Sequence, residues 1–262
     1  MRPTLLLTTT ALLLCLSGCT KQTSETIAAQ HCTIRLAGDS TMQIVDPAKN
    51  PDFGWGQVLP DYLAEGAQVT NYAKGGRSTK TFLSEGRWDK LLSDSQPGDW
   101  VLIQFGHNDA SYAKPERYTA PVDFEANLHR FVRGARARQT QPVLITPVVR
   151  RHFDGEGKLR DMHGIYPSLV IKVATEMQVP LIDLFAISSA AILEKGVAES
   201  ASWFAHVAPG EHSCCEKGRE DNTHFSFEGA HKIASLVVSE TIAAGPQPLA
   251  ACFKQSHSNS NH

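Results

Sequence analysis

Four short segments carry the residues whose side chains could act together in chemistry. They are Gly38-Asp39-Ser40-Thr41, Gly75-Gly76-Arg77-Ser78, Gly106-His107-Asn108-Asp109 and Asp221-Asn222-Thr223-His224. A serine hydroxyl is a weak nucleophile until a base takes its proton, and a histidine oriented by a carboxylate is such a base. Glycine N–H groups and an asparagine amide can stabilise the negative oxygen that forms when an ester is attacked. In this order, the four segments predict hydrolysis of an ester by a serine.

Ser40 is the predicted nucleophile of this set. Gly38 in front of it permits a sharp turn directly after an apolar run, and Asp39 is predicted to support that turn. His224 is the predicted base, and Asp221 can fix its tautomer from three residues away. That spacing predicts a tight turn or short helix in which both side chains face the same way. Each segment alone could be an ordinary turn or cap, and only the combination favours catalysis.

Strand-like and helix-like segments alternate along the chain. The predicted strands are 33–37, 68–72, 100–105, 142–146 and 179–184, and the predicted helices include 58–63 and 165–177. Two more helices are predicted from one-sided apolar patterns, at Phe124, Leu128, Phe131, Val132 and Ala135 and at Ile233, Ala234, Val237, Val238 and Thr241. Such alternation predicts an α/β fold with a parallel sheet and a site at the carboxyl ends of its strands.

The same segments resemble the SGNH (GDSL-type) hydrolase superfamily. The matching positions are Ser40 in Gly-Asp-Ser, Gly76, Asn108, and Asp221 with His224. Within the superfamily the chain is most similar to the rhamnogalacturonan acetylesterases, carbohydrate esterase family twelve. This closer similarity rests on Gly54-Trp55-Gly56, Thr146-Pro147-Val148-Val149-Arg150-Arg151 and Asp221-Asn222-Thr223-His224-Phe225, and it extends over essentially all of the chain after Cys32.

The resemblance implies a three-layer α/β/α sandwich around a five-stranded parallel sheet, of the SGNH or flavodoxin-like kind. It implies a triad of Ser40, Asp221 and His224 and an oxyanion hole made by the backbone N–H groups of Ser40 and Gly76 and the amide of Asn108. The implied reaction removes O-acetyl groups from pectic polysaccharide fragments through an acetyl-enzyme, without a cofactor. The alternatives are an SGNH esterase acting on xylan, cell-wall or other small acyl esters, and a carbohydrate-binding protein that kept the fold without activity.

Four further side chains are candidates for contact with the acetylated oligo- or polysaccharide substrate. Arg77, Arg150 and Arg151 could bind galacturonate carboxylates, because the guanidinium group suits bidentate binding. Trp203 could stack on a sugar face. Structural or solvated arginines and a core tryptophan are the competing interpretations. His107 is predicted to pack in the core.

The first residues have the pattern of an export signal. A positive start precedes an apolar run at 5–16, which is too short to span a membrane, and Leu16-Ser17-Gly18-Cys19 resembles a bacterial lipobox. An ordinary secretory signal is the alternative. The predicted parts are a signal peptide (1–18), a lipidated tether beginning at Cys19 (19–31), one hydrolase domain (32–255) and a disordered tail (256–262). Thr20 after Cys19 favours the outer membrane, with the protein on its periplasmic side or at the cell surface.

The cysteines, charges and histidines limit the disulfide pairings, partners and metals that can be expected. Cys32, Cys214, Cys215 and Cys252 remain after export and allow three pairings, of which self-pairing of the adjacent Cys214 and Cys215 is the least expected. The formal net charge is −2, without a basic patch, so nucleic acid is not an expected partner. None of the 11 histidines has the spacing of a metal motif, which predicts no metal site. A monomer that touches the membrane only through its lipid is expected.

Overall fold

The computed structural model describes residues 32–255. The predicted signal peptide, the predicted tether with Cys19 and the predicted C-terminal tail lie outside the described residues. Between positions 32 and 255, no helix is both long and apolar enough to cross a membrane.

Five parallel strands form the central sheet, in the order β2-β1-β3-β4-β5. They are β1 (Thr33–Gly38), β2 (Gln68–Asn71), β3 (Trp100–Gln104), β4 (Gln141–Ile145) and β5 (Leu181–Ile182). The strand order reverses between β1 and β3, and sheets of this order bind ligands at the carboxyl ends of the strands beside such a reversal. Every paired neighbour runs parallel, which confirms the predicted five-stranded parallel sheet.

Eight α-helices surround the sheet in the described part of the chain. They are α1 (Trp55–Val58), α2 (Thr79–Ser84), α3 (Arg87–Asp94), α4 (Pro121–Ala137), α5 (Tyr166–Glu176), α6 (Leu184–Lys195), α7 (Phe227–Ala244) and α8 (Gln247–Ala250). Short 3-10 helices occupy Leu59–Tyr62 and Glu199–Trp203. The predicted helix at 58–63 is therefore the end of α1 followed by a 3-10 turn.

Successive side chains of a strand point to opposite faces of the sheet, and each face is covered by its own hydrophobic core. Ile34 and Leu36 of β1 pack with α1, α6, α7 and α8 on one face of the sheet. Ala37 of the same strand packs with α2, α3, α4 and α5 on the other face. The apolar stripe predicted on α4 is buried in this second core. The two cores confirm the predicted three-layer sandwich.

The fifth strand is shorter than the sequence predicted. Only Leu181 and Ile182 pair with β4, whereas 179–184 was expected to be extended. Asp183 ends the strand because its carboxylate accepts a hydrogen bond from the N–H of Ala186 and so caps α6. Leu184 therefore belongs to the helix.

A two-stranded antiparallel sheet lies outside the central one and was not predicted. It pairs β6 (Phe204–Val207) with β7 (Arg219–Phe225). The predicted site residues Asp221 and His224 lie on β7. Most of β7 is polar and only partly buried, so it lacks the alternation by which a strand is recognised.

The disulfide pattern corrects the expectation for the cysteines. Cys32 bonds to Cys252, and Cys214 bonds to its neighbour Cys215. The pairing of Cys214 with Cys215, which was the least expected of the three possibilities, is the one that forms, because the ends of the domain meet each other and pair Cys32 with Cys252. The N–H of Gln68, the first residue of β2, donates to the carbonyl of Cys32, and the N–H of Ala64 donates to that of Cys252. Residues 64–68 therefore hold both ends together.

We expect the Cys32–Cys252 bond to contribute more to stability than the Cys214–Cys215 bond. The first closes a separation of 220 residues and restricts the unfolded chain strongly, which is worth about 5 kcal/mol in the loop-entropy description. Replacing Cys32 and Cys252 with serine should lower the free energy of unfolding by about that amount. The matched control replaces Cys214 and Cys215. Equal losses in urea denaturation of the two variants would contradict the expectation.

Candidate active site

The predicted site residues meet at the carboxyl edge of the central sheet. Ser40 follows β1, Gly76 follows β2 and Asn108 follows β3. The β1–β3 pairing places Gly38 beside Gln104, so the loops that carry Ser40 and Asn108 leave the sheet as neighbours. β7 brings Asp221 and His224 to the same edge from the opposite end of the sequence.

A chain of hydrogen bonds joins Ser40, His224 and Asp221. Nε2 of His224 lies 2.9 Å from Oγ of Ser40, and Nδ1 of His224 lies 2.7 Å from Oδ2 of Asp221. A carboxylate only accepts hydrogen bonds, so Nδ1 carries the proton and Nε2 is left as the acceptor for the serine hydroxyl. This is the arrangement in which a histidine can remove a proton from serine.

A bulge in β7 presents the two triad residues on one side. Phe204 pairs with Phe225, and His206 pairs with Glu220. Between these pairs β6 has one residue, whereas β7 has the four residues from Asp221 to His224. The sequence predicted a tight turn or short helix here, and the structure instead forms a tight bulge inside a strand.

Asp221 closes the bulge with its second oxygen. Oδ1 accepts hydrogen bonds from the N–H groups of Thr223, at 2.8 Å, and His224, at 2.9 Å. The carboxylate thus orients the imidazole ring through Oδ2 and the backbone that carries it through Oδ1.

The charges of Asp221 and His224 shift each other's pKa. Burial alone would lower the pKa of His224, but the hydrogen bond and the negative charge of Asp221 outweigh burial, so the pKa lies above the ordinary value of 6.5. Burial would likewise raise the pKa of Asp221, but its hydrogen bonds to His224 and to the backbone hold the pKa far below 3.8. Asp221 is therefore ionised at neutral pH.

Gly76 and Asn108 lie side by side at the predicted oxyanion hole. Gly76 has a φ of +78°, a backbone conformation that favours glycine. The Nδ2 group of Asn108 donates to the carbonyl of Arg77 at 3.0 Å, so the amide lies against the loop that contains Gly76. Asn108 is 7% exposed and is thereby shielded from bulk water.

Arg117 belongs to this group and was missed by the sequence interpretation. Its Nη1 donates to Oδ1 of Asn108 at 3.0 Å. A Cβ atom added to Gly76 would lie 3.3 Å from the same nitrogen. No spacing rule connects position 117 with position 108, because an irregular loop separates them, so the sequence held no signal for this contact.

Asp39 and His107 lie directly beneath the Ser40 turn. Oδ1 of Asp39 accepts from the N–H and the hydroxyl of Thr41, which supports the turn. Burial alone would raise the pKa of Asp39, but His107 and Thr41 keep it below its ordinary value. Burial lowers the pKa of His107, whose ring is 3% exposed and packs edge-on against His163.

Asp109 anchors α2 to the loop of Asn108. Its Oδ1 accepts from the N–H of Thr79 at 2.9 Å and from the hydroxyl of Thr79 at 2.6 Å. Burial raises the pKa of Asp109 from 3.8 to about 7. The folded protein therefore holds a proton at Asp109 that the unfolded chain releases at lower pH.

We expect this proton to make stability depend on pH. Between pH 4 and pH 7 the folded state binds more protons than the unfolded state at this position, so the free energy of unfolding falls as pH rises. Asp109→Asn keeps Oδ1 as an acceptor and removes the ionisation. The variant should gain stability relative to the wild type between pH 4.5 and pH 7.5 in urea denaturation. A difference that is constant over that range would contradict the expectation.

The three arginines predicted to meet substrate are bonded within the protein. Arg77 donates through Nε to both carboxylate oxygens of Glu85. Arg150 donates to Oγ1 of Thr223 at 2.6 Å, and Arg151 donates to Oδ1 of Asn222 at 2.8 Å. Arg150 and Arg151 therefore brace the bulge that carries the triad residues, and their contact with substrate remains a prediction.

Trp203, the residue predicted to stack on a sugar, lies in the core. Its side chain is buried in the core, with 8% of the residue exposed, and its indole N–H donates to Glu228. The amines of Lys195 and Lys232 lie 5.0 and 5.5 Å from the centre of its ring. These contacts favour the core interpretation of Trp203, and its stacking on a sugar stays a prediction.

One group of possible metal ligands occurs in the part of the chain that the structure describes. Glu125, His129 and Glu176 cluster on the outer surface of α4 and α5. Lys172 lies among them and pairs with Glu125 at 2.6 Å and with Glu176 at 3.7 Å. The cluster is thus an ion-pair network, and it is separate from the Ser40 site.

Comparison with known proteins gives close relatives. The rhamnogalacturonan acetylesterase RhgT of Bacillus subtilis (strain 168) is 43% identical over 203 residues, which cover 77% of this chain and 86% of that protein. Among solved structures, the YxiM protein of Bacillus subtilis superposes with a TM-score of 0.68 at 28% identity. That similarity covers 82% of this chain and 58% of the YxiM chain.

A more distant structure supports the fold. The acetylxylan esterase Axe2 of Geobacillus stearothermophilus has a TM-score of 0.58 at 19% identity, over 79% of this chain and 93% of its own. At this identity the similarity concerns the fold alone. The model of the GDSL-like lipase/acylhydrolase family matches residues 36–231, which include Ser40, Gly76, Asn108, Asp221 and His224. These findings confirm the predicted superfamily: the chain belongs to the GDSL-like lipase/acylhydrolase family and is a carboxylic ester hydrolase with the SGNH fold.

Proposed function

We propose that this enzyme removes O-acetyl groups from rhamnogalacturonan fragments. The observation that carries the proposal is the hydrogen-bonded chain from Ser40 through His224 to Asp221, in a protein 43% identical to RhgT. The assignment of a pectic substrate rests on the similarity to RhgT, and the assignment of ester hydrolysis rests on the geometry of the site.

The proposed reaction begins with proton transfer from Ser40. Nε2 of His224 accepts the hydroxyl proton while Oγ attacks the acetyl carbonyl carbon. The carbonyl oxygen becomes negative, and the backbone N–H groups of Ser40 and Gly76 and the amide of Asn108 would stabilise it. His224 then gives its proton to the sugar oxygen, the ester bond breaks, and the acetyl group remains on Ser40.

Hydrolysis of the acetyl-enzyme repeats the sequence with water. His224 takes a proton from water, the hydroxide attacks the acetyl carbon, and the same donors stabilise the second tetrahedral intermediate. Return of the proton to Oγ releases acetic acid, which ionises to acetate, and restores Ser40. Asp221 stays ionised throughout and stabilises the imidazolium form of His224.

Acetate release from three substrates in parallel tests the proposed specificity. The full chain is incubated with acetylated rhamnogalacturonan, acetylated xylan and 4-nitrophenyl acetate, with the Ser40→Ala variant as the inactive control. Preference for the pectic polymer or its oligosaccharides is the expected result. Activity on the aryl ester alone would support the assignment of ester hydrolysis and reject the assignment of a pectic substrate. The similarity to an acetylxylan esterase does not favour xylan, since it concerns the fold.

The activity should be lost as pH falls. Protonated His224 cannot accept the proton of Ser40, and Asp221 raises the pKa of His224 above 6.5. The acidic limb of the pH profile of kcat/KM should therefore have an apparent pKa above 6.5. A limb at or below the ordinary histidine value would contradict the described coupling of His224 to Asp221.

We propose that the protein is exported as a monomeric lipoprotein anchored through Cys19, on the periplasmic side of the outer membrane or at the cell surface. The sequence of residues 1–19 supports this, and two disulfides are typical of an exported protein. Metabolic labelling of cells with an alkyne fatty acid should mark the wild type and leave the Cys19→Ser variant unmarked. An unlabelled wild type with a mature N-terminus elsewhere would reject the lipid anchor.

A further inference from the structure

We propose that Arg117 is a positioning residue that fixes the amide of Asn108 in the orientation needed for oxyanion stabilisation. This inference rests on the proposed ester hydrolysis and names a residue outside the triad and the oxyanion hole. Arg117 touches neither Ser40 nor His224 among the described contacts, and it acts through Asn108.

Two partners of opposite kind hold the amide of Asn108. The guanidinium of Arg117 can only donate, so the atom that faces its Nη1 at 3.0 Å must be the oxygen Oδ1. The carbonyl of Arg77 can only accept, so the atom that faces it at 3.0 Å must be the nitrogen Nδ2. A flipped amide would place two donors against each other and two acceptors against each other.

The two contacts leave one amide hydrogen free to act. Nδ2 carries two N–H groups, of which one donates to the carbonyl of Arg77. The second is then directed by the fixed plane of the amide and is the group available to a negative oxygen at the predicted oxyanion hole. Without Arg117, Oδ1 loses its donor and the amide can rotate.

Hydrogen bonds within the loop 109–119 hold Arg117 next to Asn108. The N–H of Arg117 donates to the carbonyl of Lys114, and Thr119 donates to the carbonyl of Asp109, which closes the loop back on the Asn108 segment. Nε of Arg117 is buried beside the carboxylate of Glu116, at 3.4 Å. The side chain is 24% exposed, so its charge is partly shielded from water.

The position of Gly76 is also consistent with the placement of Arg117 beside Asn108. Its φ of +78° and the 3.3 Å approach of Nη1 to the position of a Cβ atom leave little room for a side chain. Arg117 therefore lies against two of the three predicted oxyanion groups, with its Nη1 close to the position that a side chain at Gly76 would occupy.

A double-mutant cycle tests whether Arg117 acts through Asn108. The full chain, Arg117→Gln, Asn108→Ala and the double variant are compared by kcat and KM on 4-nitrophenyl acetate, which is uncharged. Asn108→Ala should lower kcat by about 100-fold, as loss of an oxyanion donor does. Arg117→Gln should lower kcat by roughly 10-fold with KM nearly unchanged, and should add no further loss in the Asn108→Ala background.

Two further measurements distinguish the positioning of Asn108 from an effect of Arg117 on protein stability or on the charge around His224. The acidic limb of the pH profile should stay in place in Arg117→Gln, because the variant leaves the His224–Asp221 pair intact. Arg117→Lys, which keeps a positively charged donor on a side chain longer than that of glutamine, should recover part of the lost kcat. If Arg117→Gln does not fold, Arg117→Lys carries the cycle, and its loss should likewise disappear in the Asn108→Ala background.

Three results would overturn the inference: an unchanged kcat in Arg117→Gln, a loss that persists in the Asn108→Ala background, or a shifted acidic limb. The Ser40→Ala variant separates this failure from failure of the proposed reaction. If Ser40→Ala loses activity while Arg117→Gln keeps it, only the role of Arg117 is rejected. If Ser40→Ala keeps its activity, the proposed reaction itself is rejected.

Discussion

Ser40→Ala should lower kcat for ester hydrolysis by a factor on the order of 10⁶, as removal of the serine does in a triad hydrolase. The variant has no atom on which the acetyl group can be held, so neither half of the proposed reaction can proceed. His224 would remain in place because Asp221 holds it at 2.7 Å. The measurement is the initial rate with 4-nitrophenyl acetate after subtraction of spontaneous hydrolysis.

Ser111→Ala is the matched control for that variant. Its hydroxyl donates to the backbone carbonyl of His107 at 3.0 Å, close to the site but without a contact to His224. We expect its kcat to stay within a few-fold of the wild type. Retention of a tenth or more of the activity in Ser40→Ala would remove Ser40 as the nucleophile.

Asp221→Asn has the second largest expected effect, a loss of about 10⁴-fold in kcat. Oδ1 of Asp221 accepts two backbone N–H groups, so the asparagine must place its oxygen there and its NH₂ group towards His224. Nδ1 of His224 must then accept, and the ring proton moves to Nε2. In that tautomer Nε2 cannot take the proton of Ser40.

Stability separates this tautomer effect from loss of structure. The bulge keeps its two backbone hydrogen bonds in Asp221→Asn, so the variant should remain folded under the assay conditions. Its free energy of unfolding should nevertheless fall, because the neutral amide lacks the ionised carboxylate that His224 stabilises. Glu220→Gln is the control, because Glu220 is an exposed carboxylate next in sequence to Asp221. A kcat for Asp221→Asn within 10-fold of the wild type would contradict the assigned tautomer, as would an equal loss in Glu220→Gln.

The central sheet and the positions of the site residues on it could be predicted from sequence. Apolar strands and one-sided helices are local patterns, and the buried stripe of α4 follows them residue by residue. Ser40 and Asn108 could be placed at one edge because each directly follows a parallel strand. Their proximity is then a consequence of parallel topology and needs no knowledge of side-chain contacts.

The remaining features depend on contacts between distant segments. β7 exists because it pairs with β6, and its polar residues give no period by which to recognise it. Arg150 and Arg151 could be proposed from sequence as cations that bind a sugar carboxylate. Their hydrogen bonds to Thr223 and Asn222 could not be predicted, because those residues lie far away in the sequence. Arg117 was missed for the same reason, because loop closure brings it to Asn108.

The bond between Cys32 and Cys252 gives the domain a closed covalent path. Peptide bonds run from one cysteine to the other, and the disulfide completes the circuit. A protease that cuts once in the exposed segment 155–158 therefore opens the circuit without releasing a piece. The nicked protein should run as one band on a denaturing gel without reductant and as two bands with it. Two separate cuts are needed to detach any fragment that lies between Cys32 and Cys252.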